Sequence, residues 1–355
     1  MTPAPRVVFE RGDSVPDFDL PDVNGMPTGL LRYSRGNPMV FAFCHGGDEA
    51  VLAPLVAAAS RLVKADVFVV TRLPCEQNGH LAMRLTVPFG VLSDVQGQVS
   101  EVYGHAGAGQ AQPAFTAYVL DRRLRVSTVV RANDAQPAVD SVVAAVDDLA
   151  QTPPATVVPR PAPLLAIPDV FDSTLCRDLV ALWRTQGNFA SGSFNPLTNS
   201  DDAVEHQTSK ARRDHIIDDK DLRSRIGDLI GRRVAPEVAK AFDFQVVGTT
   251  ELKIGRYGAD TGGYFRAHRD NTAPATAFRR FAMSLLLNDP DDYTGGALRF
   301  AEFGPEEYRP KAGEALIFSC SLLHEVMPVL KGERFVLLCF FFGAREREML
   351  KKANA

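Results

Sequence analysis

Two stretches in the second half of the chain decide its fold. Residues 251–303 read ELKIGRYGADTGGYFRAHRDNTAPATAFRRFAMSLLLNDPDDYTGGALRFAEF, and residues 308–343 read YRPKAGEALIFSCSLLHEVMPVLKGERFVLLCFFFG. In both, short apolar runs alternate with Gly, Asp and Pro, the residues that turns favour. Such alternation is typical of short strands joined by tight turns. The region is therefore predicted to be mainly β, and helical spacing upstream predicts helices at about residues 173–186 and 220–241.

The first stretch contains His268-Arg269-Asp270, which places two metal-binding side chains two residues apart. On an extended strand, side chains at i and i+2 emerge on the same face, so both can reach one ion. His324, after the strand-like run of the second stretch, is a third candidate ligand. Two imidazoles and one carboxylate form the facial triad of non-haem Fe(II) oxygenases. The alternatives are a chance His-x-Asp pair and a surface or core histidine.

Arg334 lies in GERFVLLCF, one strand-like run beyond His324. Alternation along that run predicts that its side chain points to the same side as the candidate metal ligands. A guanidinium placed there can grip a carboxylate through two parallel hydrogen bonds. The alternative is a surface arginine beside Glu333.

The order of motifs in this half of the chain resembles the prolyl-4-hydroxylase-like 2-oxoglutarate/Fe(II) oxygenases. The likeness covers about residues 164–345, and its motifs are Tyr257, Gly262-Gly263-Tyr264, His268-x-Asp270, LLLND (285–289), GGALRF (295–300), P-x-x-G-x-A-L-x-F (310–318) and HEVMPV-x-x-G-x-R (324–334). It implies a double-stranded β-helix (jelly-roll) core with flanking helices.

The resemblance also implies roles for single residues. The implied iron ligands are His268, Asp270 and His324, and the implied anchor of 2-oxoglutarate is Arg334, which joins them as a catalytic residue. It suggests that the hydroxyl of Tyr257 contacts 2-oxoglutarate, the alternative being core packing. Tyr264 is a further candidate contact of the cosubstrate, with packing against the metal-binding strand as the alternative. Leu286 stands where relatives often have a tyrosine that contacts 2-oxoglutarate, so the pocket must differ there.

The implied reaction uses Fe(II), with 2-oxoglutarate and O2 as cosubstrates, and ascorbate is a further candidate cofactor. Hydroxylation of a substrate C–H bond would accompany the release of succinate and CO2. Halogenating relatives replace the carboxylate ligand with a small residue, so Asp270 favours hydroxylation or another oxidation. The likeness favours an amino-acid, peptidyl or related small-molecule substrate, with proline among the candidates. A fold does not determine a substrate.

The first half of the chain shows a different pattern. Short branched and aromatic runs at residues 39–43, 67–71, 116–120 and 125–130 are typical of strands, and helical spacing between them predicts an α/β sandwich. The segments GDSVPDFDLPDVNG (12–25), FGVLSDVQGQVSEVYG (89–104) and PAFTAYVLDRRLRV (113–126) resemble peroxiredoxins over about residues 10–150. The resemblance implies a thioredoxin-like fold.

The peroxidatic cysteine of that family is missing. Its position falls near Val51, and no Thr-Pro-x-x-Cys turn stands there. Cys44 comes about seven residues too early, at the end of a predicted buried strand, and buried apolar cysteines are usually inert. A structural role is therefore predicted for Cys44 and Cys75. Two other functions stay open for the whole chain: a sensor of O2 or 2-oxoglutarate, and a thiol peroxidase with an accessory oxygenase domain.

A proline-rich segment divides the two halves. QTPPATVVPRPAP, residues 151–163, contains five prolines, a density that interrupts both helices and central strands. The predicted domains are residues 1–150 and 164–355. Valines at helical spacing predict a helix that closes the first domain, and Asp172-Ser173 before Leu175 and Leu179 predicts a capped helix that opens the second.

Composition restricts the classes of partner. The net charge is −4 and charged residues make up 23% of the chain, so a general nucleic-acid binder and a membrane partner are not expected. The five cysteines are scattered and odd in number, which favours a reducing cytoplasm over a disulfide framework. The amino terminus lacks the order of a secretory signal. A homodimer through the first domain is a further expectation.

Residues 187–219 are predicted to form a loop-rich lid between helices, and such loops often line sites. The basic residues Lys210, Arg212, Arg213 and Arg266 are candidates for recognising a carboxylate or an acidic peptide. The alternative interpretation is a solvated basic stretch.

Overall fold

The computed structural model describes residues 8–353, apart from 35, 45–48, 105–112, 114, 152–160 and 192–208. The chain folds as two compact units, Met1–Ala155 and Thr156–Ala355. Most of the proline-rich linker predicted at residues 151–163 lies outside the described residues, as does most of the predicted lid. Among the helices that are described, none is long and apolar enough to cross a bilayer.

The first unit is an α/β sandwich built on a five-stranded sheet. Its elements are β1 (Asp19–Pro21), β2 (Pro27–Gly29), α1 (Leu30–Tyr33), β3 (Met39–Cys44), α2 (Glu49–Ala57), β4 (Asp66–Thr71), α3 (Cys75–Leu85), β5 (Gly90–Ser93), α4 (Gln98–Val102), β6 (Phe115–Leu120), β7 (Val126–Ala132) and α5 (Ala135–Ala150). The strand order is β5-β4-β3-β6-β7, in which β3, β4 and β5 are parallel and the other pairs are antiparallel. The α/β architecture predicted from the sequence is confirmed.

Both faces of this sheet are covered. One core contains Leu52 and Leu55 of α2 with the valines of α5, and the other contains Phe9, Leu20 and Tyr103. Cys44 ends the fully buried strand β3 and belongs to the first core, where the sequence places it. The segment in which a peroxidatic turn would stand, residues 45–48, lies outside the described residues. A homodimer through this unit stays a prediction.

The second unit is mainly β, as the turn-rich stretches predict. Its elements are β8 (Leu164–Ile167), α6 (Ser173–Thr185), β9 (Phe189–Ala190), β10 (Arg213–Ile216), α7 (Lys220–Arg233), α8 (Ala235–Phe242), β11 (Gly248–Thr249), β12 (Lys253–Gly258), β13 (Phe265–His268), β14 (Phe281–Leu286), β15 (Tyr293–Gly295), β16 (Leu298–Arg299), β17 (Glu307–Tyr308), β18 (Ala315–Ser319), β19 (His324–Val326), β20 (Val329–Phe342) and α9 (Ala344–Ala353).

These strands form two antiparallel sheets. The major sheet has the order β8-β18-β14-β20-β12-β10-β9, with β11 and β15 also paired to β20, and the minor sheet has the order β13-β19-β16-β17. One core joins the sheets, because it contains Leu286 and Phe318 of the major sheet with Leu298 and Val326 of the minor sheet. The opposite face of the major sheet packs against α6, α7 and α8. The winding of a double-stranded β-helix stays a prediction.

One helix predicted from the sequence is two separate helices in the structure. The segment 220–241 was expected to be continuous, but α7 ends at Arg233 and α8 begins at Ala235 with Pro236 in its first turn. Proline has no backbone N–H and clashes with the preceding turn, so it is tolerated at a helix start and not inside a helix. The break lets both helices cover the major sheet.

Candidate metal centre

The three predicted metal ligands come from two paired strands of the minor sheet and the turn that follows the first of them. His268 is the last residue of β13 and His324 is the first of β19, and the two are register partners across the antiparallel pair. Directly opposed residues have Cβ atoms about 5 Å apart, so their rings share one face. The backbone N–H of Asp270 donates to the carbonyl of Cys320 at 2.9 Å, which ties the turn after β13 to the chain before β19.

The ligand atoms of His268, Asp270 and His324 all lie within 4.8 Å of one another. Each imidazole has its Nε2 atom 3.4 Å from a different oxygen of the Asp270 carboxylate. Each Nδ1 atom faces a carbonyl two residues earlier, at 2.8 Å for His268 and 3.0 Å for His324. A neutral imidazole that donates from Nδ1 presents the lone pair of Nε2, and this is the arrangement that orients metal-binding histidines.

The electrostatics of the site favour the protonation states that a cation requires. Burial raises the pKa of Asp270, but His324, His268 and Arg279 together outweigh it and hold that pKa below its usual value. Burial is the largest cause that lowers the pKa of His324, even though the Asp270 carboxylate opposes it. At neutral pH the site therefore presents a carboxylate beside the neutral imidazole of His324. These protonation states suit a metal ion, because metal ligands must be deprotonated.

The route by which Asp270 reaches the site differs from the prediction. His268 and Asp270 were expected on one regular strand, but β13 ends at His268 and Asp270 lies in the turn that follows. A bulge also interrupts the register between Phe265 and His268, and the two rings stack with centroids 3.5 Å apart. A bulge re-aims side chains. The i and i+2 rule predicted that His268 and Asp270 lie close together, and they do, but a turn and not a regular strand brings Asp270 there.

The donor set fits a first-row divalent metal ion. Ligand atoms that bind one such ion at right angles, each about 2.1 Å from it, are about 3 Å apart. The 3.4 Å between each Nε2 and its carboxylate oxygen is close to that separation, so little movement is needed to receive an ion. Two imidazoles with one carboxylate is also the donor set of non-haem Fe(II) sites with open positions.

Arg334 lies inside the protein and not on its surface. It belongs to β20, is 2% exposed, and its guanidinium carbon lies 5.2 Å from the centroid of the Tyr257 ring. The alternative of a surface arginine is therefore wrong, and the neighbouring Glu333 carboxylate binds Arg184 at 2.7 Å and Arg256 at 2.6 Å. Within the described part of the chain, no carboxylate forms an ion pair with Arg334. A buried guanidinium of this kind can bind an anion through charge-assisted hydrogen bonds.

Tyr257 is the register partner of Arg334 and is equally buried. Its hydroxyl accepts a hydrogen bond from Nη1 of Arg212 at 3.3 Å. The structure therefore places the guanidinium of Arg334 near the ring of Tyr257, whose hydroxyl is bonded to Arg212.

Comparison with known protein families gives a match in the second half of the chain. Residues 252–342, which contain the three candidate ligands and Arg334, match the family model of the 2OG-Fe(II) oxygenase superfamily. Residues 252–342 form a domain of that superfamily. The family predicted from the sequence motifs is confirmed for this part of the chain.

Individual proteins are similar over longer segments. A PKHD-type hydroxylase of Azoarcus sp. (strain BH72) is 38% identical over 93 residues, which cover 24% of this chain and 40% of that protein. The chain thus spans less than half the length of that relative. A solved prolyl-4-hydroxylase from Pseudomonas putida is 20% identical with a TM-score of 0.39 and covers 56% of this chain and 96% of its own. Peroxidoxin BcpB from Mycobacterium tuberculosis is 24% identical with a TM-score of 0.36, covering 40% of this chain and 98% of its own.

Tyr264 stays a prediction as a contact of the cosubstrate. It precedes β13, and its ring lies 5.8 Å from the guanidinium carbon of Arg266, which is exposed. Phe265, the residue between them, instead points to His268.

The interpretation of residues 210–213 as a solvated basic stretch is wrong for two of them. Arg212 forms an ion pair with Asp214 at 2.6 Å, with side chains only 11% and 3% exposed. Lys210 is also buried, with its ammonium nitrogen 4.9 Å from the centroid of the Phe265 ring. Arg213 is exposed, as that interpretation requires.

Asn288 was not singled out from the sequence, although it belongs to the LLLND motif. Its side chain donates to the carbonyl of Glu333 at 2.9 Å and accepts from the N–H of Phe335 at 2.8 Å. These two bonds bracket Arg334 on β20. Asn288 therefore extends the pairing of β14 with β20 and fixes the backbone that presents the guanidinium.

The absence of a side chain at Gly296, in the GGALRF motif, leaves room for the side chain of Arg334. The φ of Gly296 is +66°, and a Cβ atom there would lie 2.9 Å from Cγ2 of Val329 and 3.1 Å from Cδ of Arg334. The positive φ suits a glycine in a tight turn, and contact with Arg334 is an additional constraint.

Substituting Gly296 with alanine should therefore weaken anion binding as well as folding. We expect the positive φ to cost about 1–2 kcal/mol of the free energy of unfolding, and the new contacts about 1–3 kcal/mol more. The half-saturating concentration of 2-oxoglutarate should rise several-fold. Gly262→Ala is the matched control, because Gly262 has a φ of +65° with nothing within 4 Å of a Cβ atom. Equal effects of the two variants on 2-oxoglutarate would refute the role of the Arg334 contact.

Proposed function

We propose that the second unit is an Fe(II)- and 2-oxoglutarate-dependent dioxygenase that hydroxylates a substrate C–H bond and forms succinate and CO2. The observation that carries the proposal is the convergence of His268, Asp270 and His324 in a domain of the 2OG-Fe(II) oxygenase superfamily. A buried anion receptor, Arg334 with Tyr257, lies in the same domain. The substrate class that we propose is an amino-acid, peptidyl (prolyl included) or related small molecule.

The proposed ligands hold the ferrous ion through two neutral imidazoles and one carboxylate. Their Nδ1 bonds to the carbonyls of Arg266 and Leu322 keep both rings fixed before an ion arrives. Pre-oriented ligands bind with less loss of side-chain entropy. When bound, iron supplies the redox chemistry that couples O2 and the oxidative decarboxylation of 2-oxoglutarate to hydroxylation of the substrate.

The proposed role of Arg334 is to hold the distal carboxylate of 2-oxoglutarate. The guanidinium of Arg334 is only 2% exposed, so water competes little with the carboxylate for its N–H donors. The charge-assisted hydrogen bonds are therefore strong. The hydroxyl of Tyr257 adds a donor on the same anion. The apolar wall made by Leu286 and Val336, both fully buried, suits the methylene groups of the cosubstrate.

His324 is also shielded from water. Its ring packs 4.7 Å from Phe318 and 6.0 Å from Phe300, and both phenylalanines belong to the core shared by the two sheets. Excluding water from one side of the site strengthens its electrostatic interactions and limits side reactions. Asp270 and His268 are more accessible, with side chains 10% and 21% exposed. Substrate would therefore approach from the side of these two residues.

The proposal predicts succinate formation that requires Fe(II), O2 and 2-oxoglutarate together. The full chain would be assayed for succinate with free amino acids and with proline-containing peptides, and each product would be examined by mass spectrometry for a gain of one oxygen atom. A substrate should raise succinate formation above the rate without it and acquire that oxygen in proportion. Binding of iron and 2-oxoglutarate without succinate above background would instead identify a sensor.

A further inference from the structure

A buried network of polar side chains lies on the strand next to Tyr257. Nε and Nη2 of Arg212 donate to the two oxygens of Asp214 at 2.6 and 2.7 Å, and Nη2 also donates to Oγ of Ser191 at 3.0 Å. The hydroxyl of Ser191 donates to Asp214 at 2.6 Å. The Asp214 carboxylate compensates the charge of Arg212, so this arginine is not a second receptor for an external anion.

Arg212, Tyr257 and Arg334 form one row across three adjacent strands. β10 pairs with β12 so that Arg213 faces Arg256, which puts Arg212 opposite Tyr257, and β12 pairs with β20 so that Tyr257 faces Arg334. The guanidinium carbons of the two arginines lie 5.8 and 5.2 Å from the centroid of the tyrosine ring. Tyr257 thus lies close to both arginines: its hydroxyl accepts from Arg212, and its ring lies near the guanidinium of Arg334.

The direction of the hydrogen bond to Tyr257 is fixed by chemistry. A guanidinium in a protein is always protonated and has no acceptor, so Nη1 of Arg212 must donate to the tyrosine oxygen. The phenolic proton then cannot point at Arg212 and is available to an acceptor elsewhere. With Arg334 beside it, the favourable acceptor is an anion.

We propose that Arg212 is a positioning residue that sets the hydroxyl of Tyr257 as a hydrogen-bond donor to the distal carboxylate of 2-oxoglutarate. This inference rests on the proposed function. Asp214 and Ser191 hold the guanidinium in place and occupy the donors of Nε and Nη2. Arg212 then acts on the cosubstrate through Tyr257 alone.

The proposal is tested by measuring the affinity of the Fe(II)-loaded full chain for 2-oxoglutarate by anaerobic calorimetry. Arg212→Met alone leaves a buried carboxylate unpaired and is expected to destabilise the fold. The double variant Arg212→Met with Asp214→Asn removes both charges and is the variant of choice. Tyr257→Phe should weaken binding by roughly 10- to 100-fold, the loss expected for one hydrogen bond to a charged group. The double variant should weaken it several-fold.

The decisive comparison places the double variant in the Tyr257→Phe background. If Arg212 acts through the tyrosine hydroxyl, no further loss of affinity follows, whereas independent effects would multiply. The matched ligand is 2-oxopentanoate, which has the same chain length as 2-oxoglutarate and no distal carboxylate. Its affinity should be unchanged in every variant. Arg213→Met, at the exposed neighbouring position, is the control for loss of an arginine from this segment.

Two outcomes would overturn the inference. One is a further loss of 2-oxoglutarate affinity when the double variant is added to Tyr257→Phe, which would mean that Arg212 contacts the anion or only supports the fold. The other is equal weakening of 2-oxopentanoate and 2-oxoglutarate, which a purely structural role would produce. Failure of the proposed function is distinguishable, because it appears in the unmodified protein, either as no binding of 2-oxoglutarate or as binding without succinate formation.

Discussion

Replacing His268 with alanine should abolish iron retention and 2-oxoglutarate decarboxylation together. The variant keeps one imidazole and one carboxylate, a set too small to hold Fe(II) in one geometry with open positions for cosubstrates. Loss of even an outer-shell partner of a metal ligand lowers metal affinity about 10- to 100-fold, so removal of a ligand should exceed that. Iron content after gel filtration and release of CO2 from 2-oxoglutarate are the two measurements. Both should fall to background.

The control for this variant is His215→Ala. His215 lies on β10 of the same unit, and its Nδ1 faces the carbonyl of Gly187 at 2.7 Å, outside the candidate metal centre. It should keep its iron and its activity. Circular dichroism should show that both variants are folded. If His268→Ala retained decarboxylation while it remained folded, the metal site would have to be assigned to other residues.

Local features of the fold were predictable because short-range physics determines them. Asp172 before a run of apolar residues at helical spacing predicts a capped helix, and its side chain accepts the N–H of Leu175 at 2.8 Å. The predicted strands of the first unit are present as β3, β4, β6 and β7. Each of these signals lies within a few residues of the element it specifies, so the sequence displays it directly.

The metal candidates were predictable for a different reason. Few side chains bind a metal, and the sequence has only seven histidines, so the set from which a triad can be drawn is small. The motif order selected His268, Asp270 and His324 from that set. It did not predict the bulge after Phe265 or the turn that contains Asp270, because these depend on pairing with β19 and on the carbonyl of Cys320. Those partners lie far away in the sequence.

The residues that support Arg334 could not be predicted from local pattern. Arg212 and Tyr257 are 45 residues apart, and so are Asn288 and Glu333. Their contacts follow from the register of β10, β12, β14 and β20, and a shift of one residue would send each side chain to the opposite face. Composition near residues 210–213 indicated a solvated basic stretch, whereas register buries Arg212 against Asp214.

Arg334→Ala should raise the half-saturating concentration of 2-oxoglutarate by about 30-fold or more while iron stays bound. Removing one partner of a buried, hydrogen-bonded charge pair costs about 2–5 kcal/mol, and each 1.4 kcal/mol corresponds to about tenfold in affinity. The triad does not contain Arg334, so iron content should match that of the unmodified protein. The measurement is the dependence of succinate formation on 2-oxoglutarate concentration, with iron determined on the same samples.

Two comparisons separate loss of the anchor from general damage to the fold. Arg345→Ala removes an exposed arginine from α9 and should leave the 2-oxoglutarate dependence unchanged. Arg334→Lys keeps the charge but cannot bind a carboxylate bidentately, so its effect should fall between the unmodified protein and the alanine variant. An unchanged 2-oxoglutarate dependence in folded Arg334→Ala would mean that this buried guanidinium serves the core alone. The distal carboxylate would then need another cation, and because Asp214 already compensates Arg212, that cation would have to lie outside the row of Arg212, Tyr257 and Arg334.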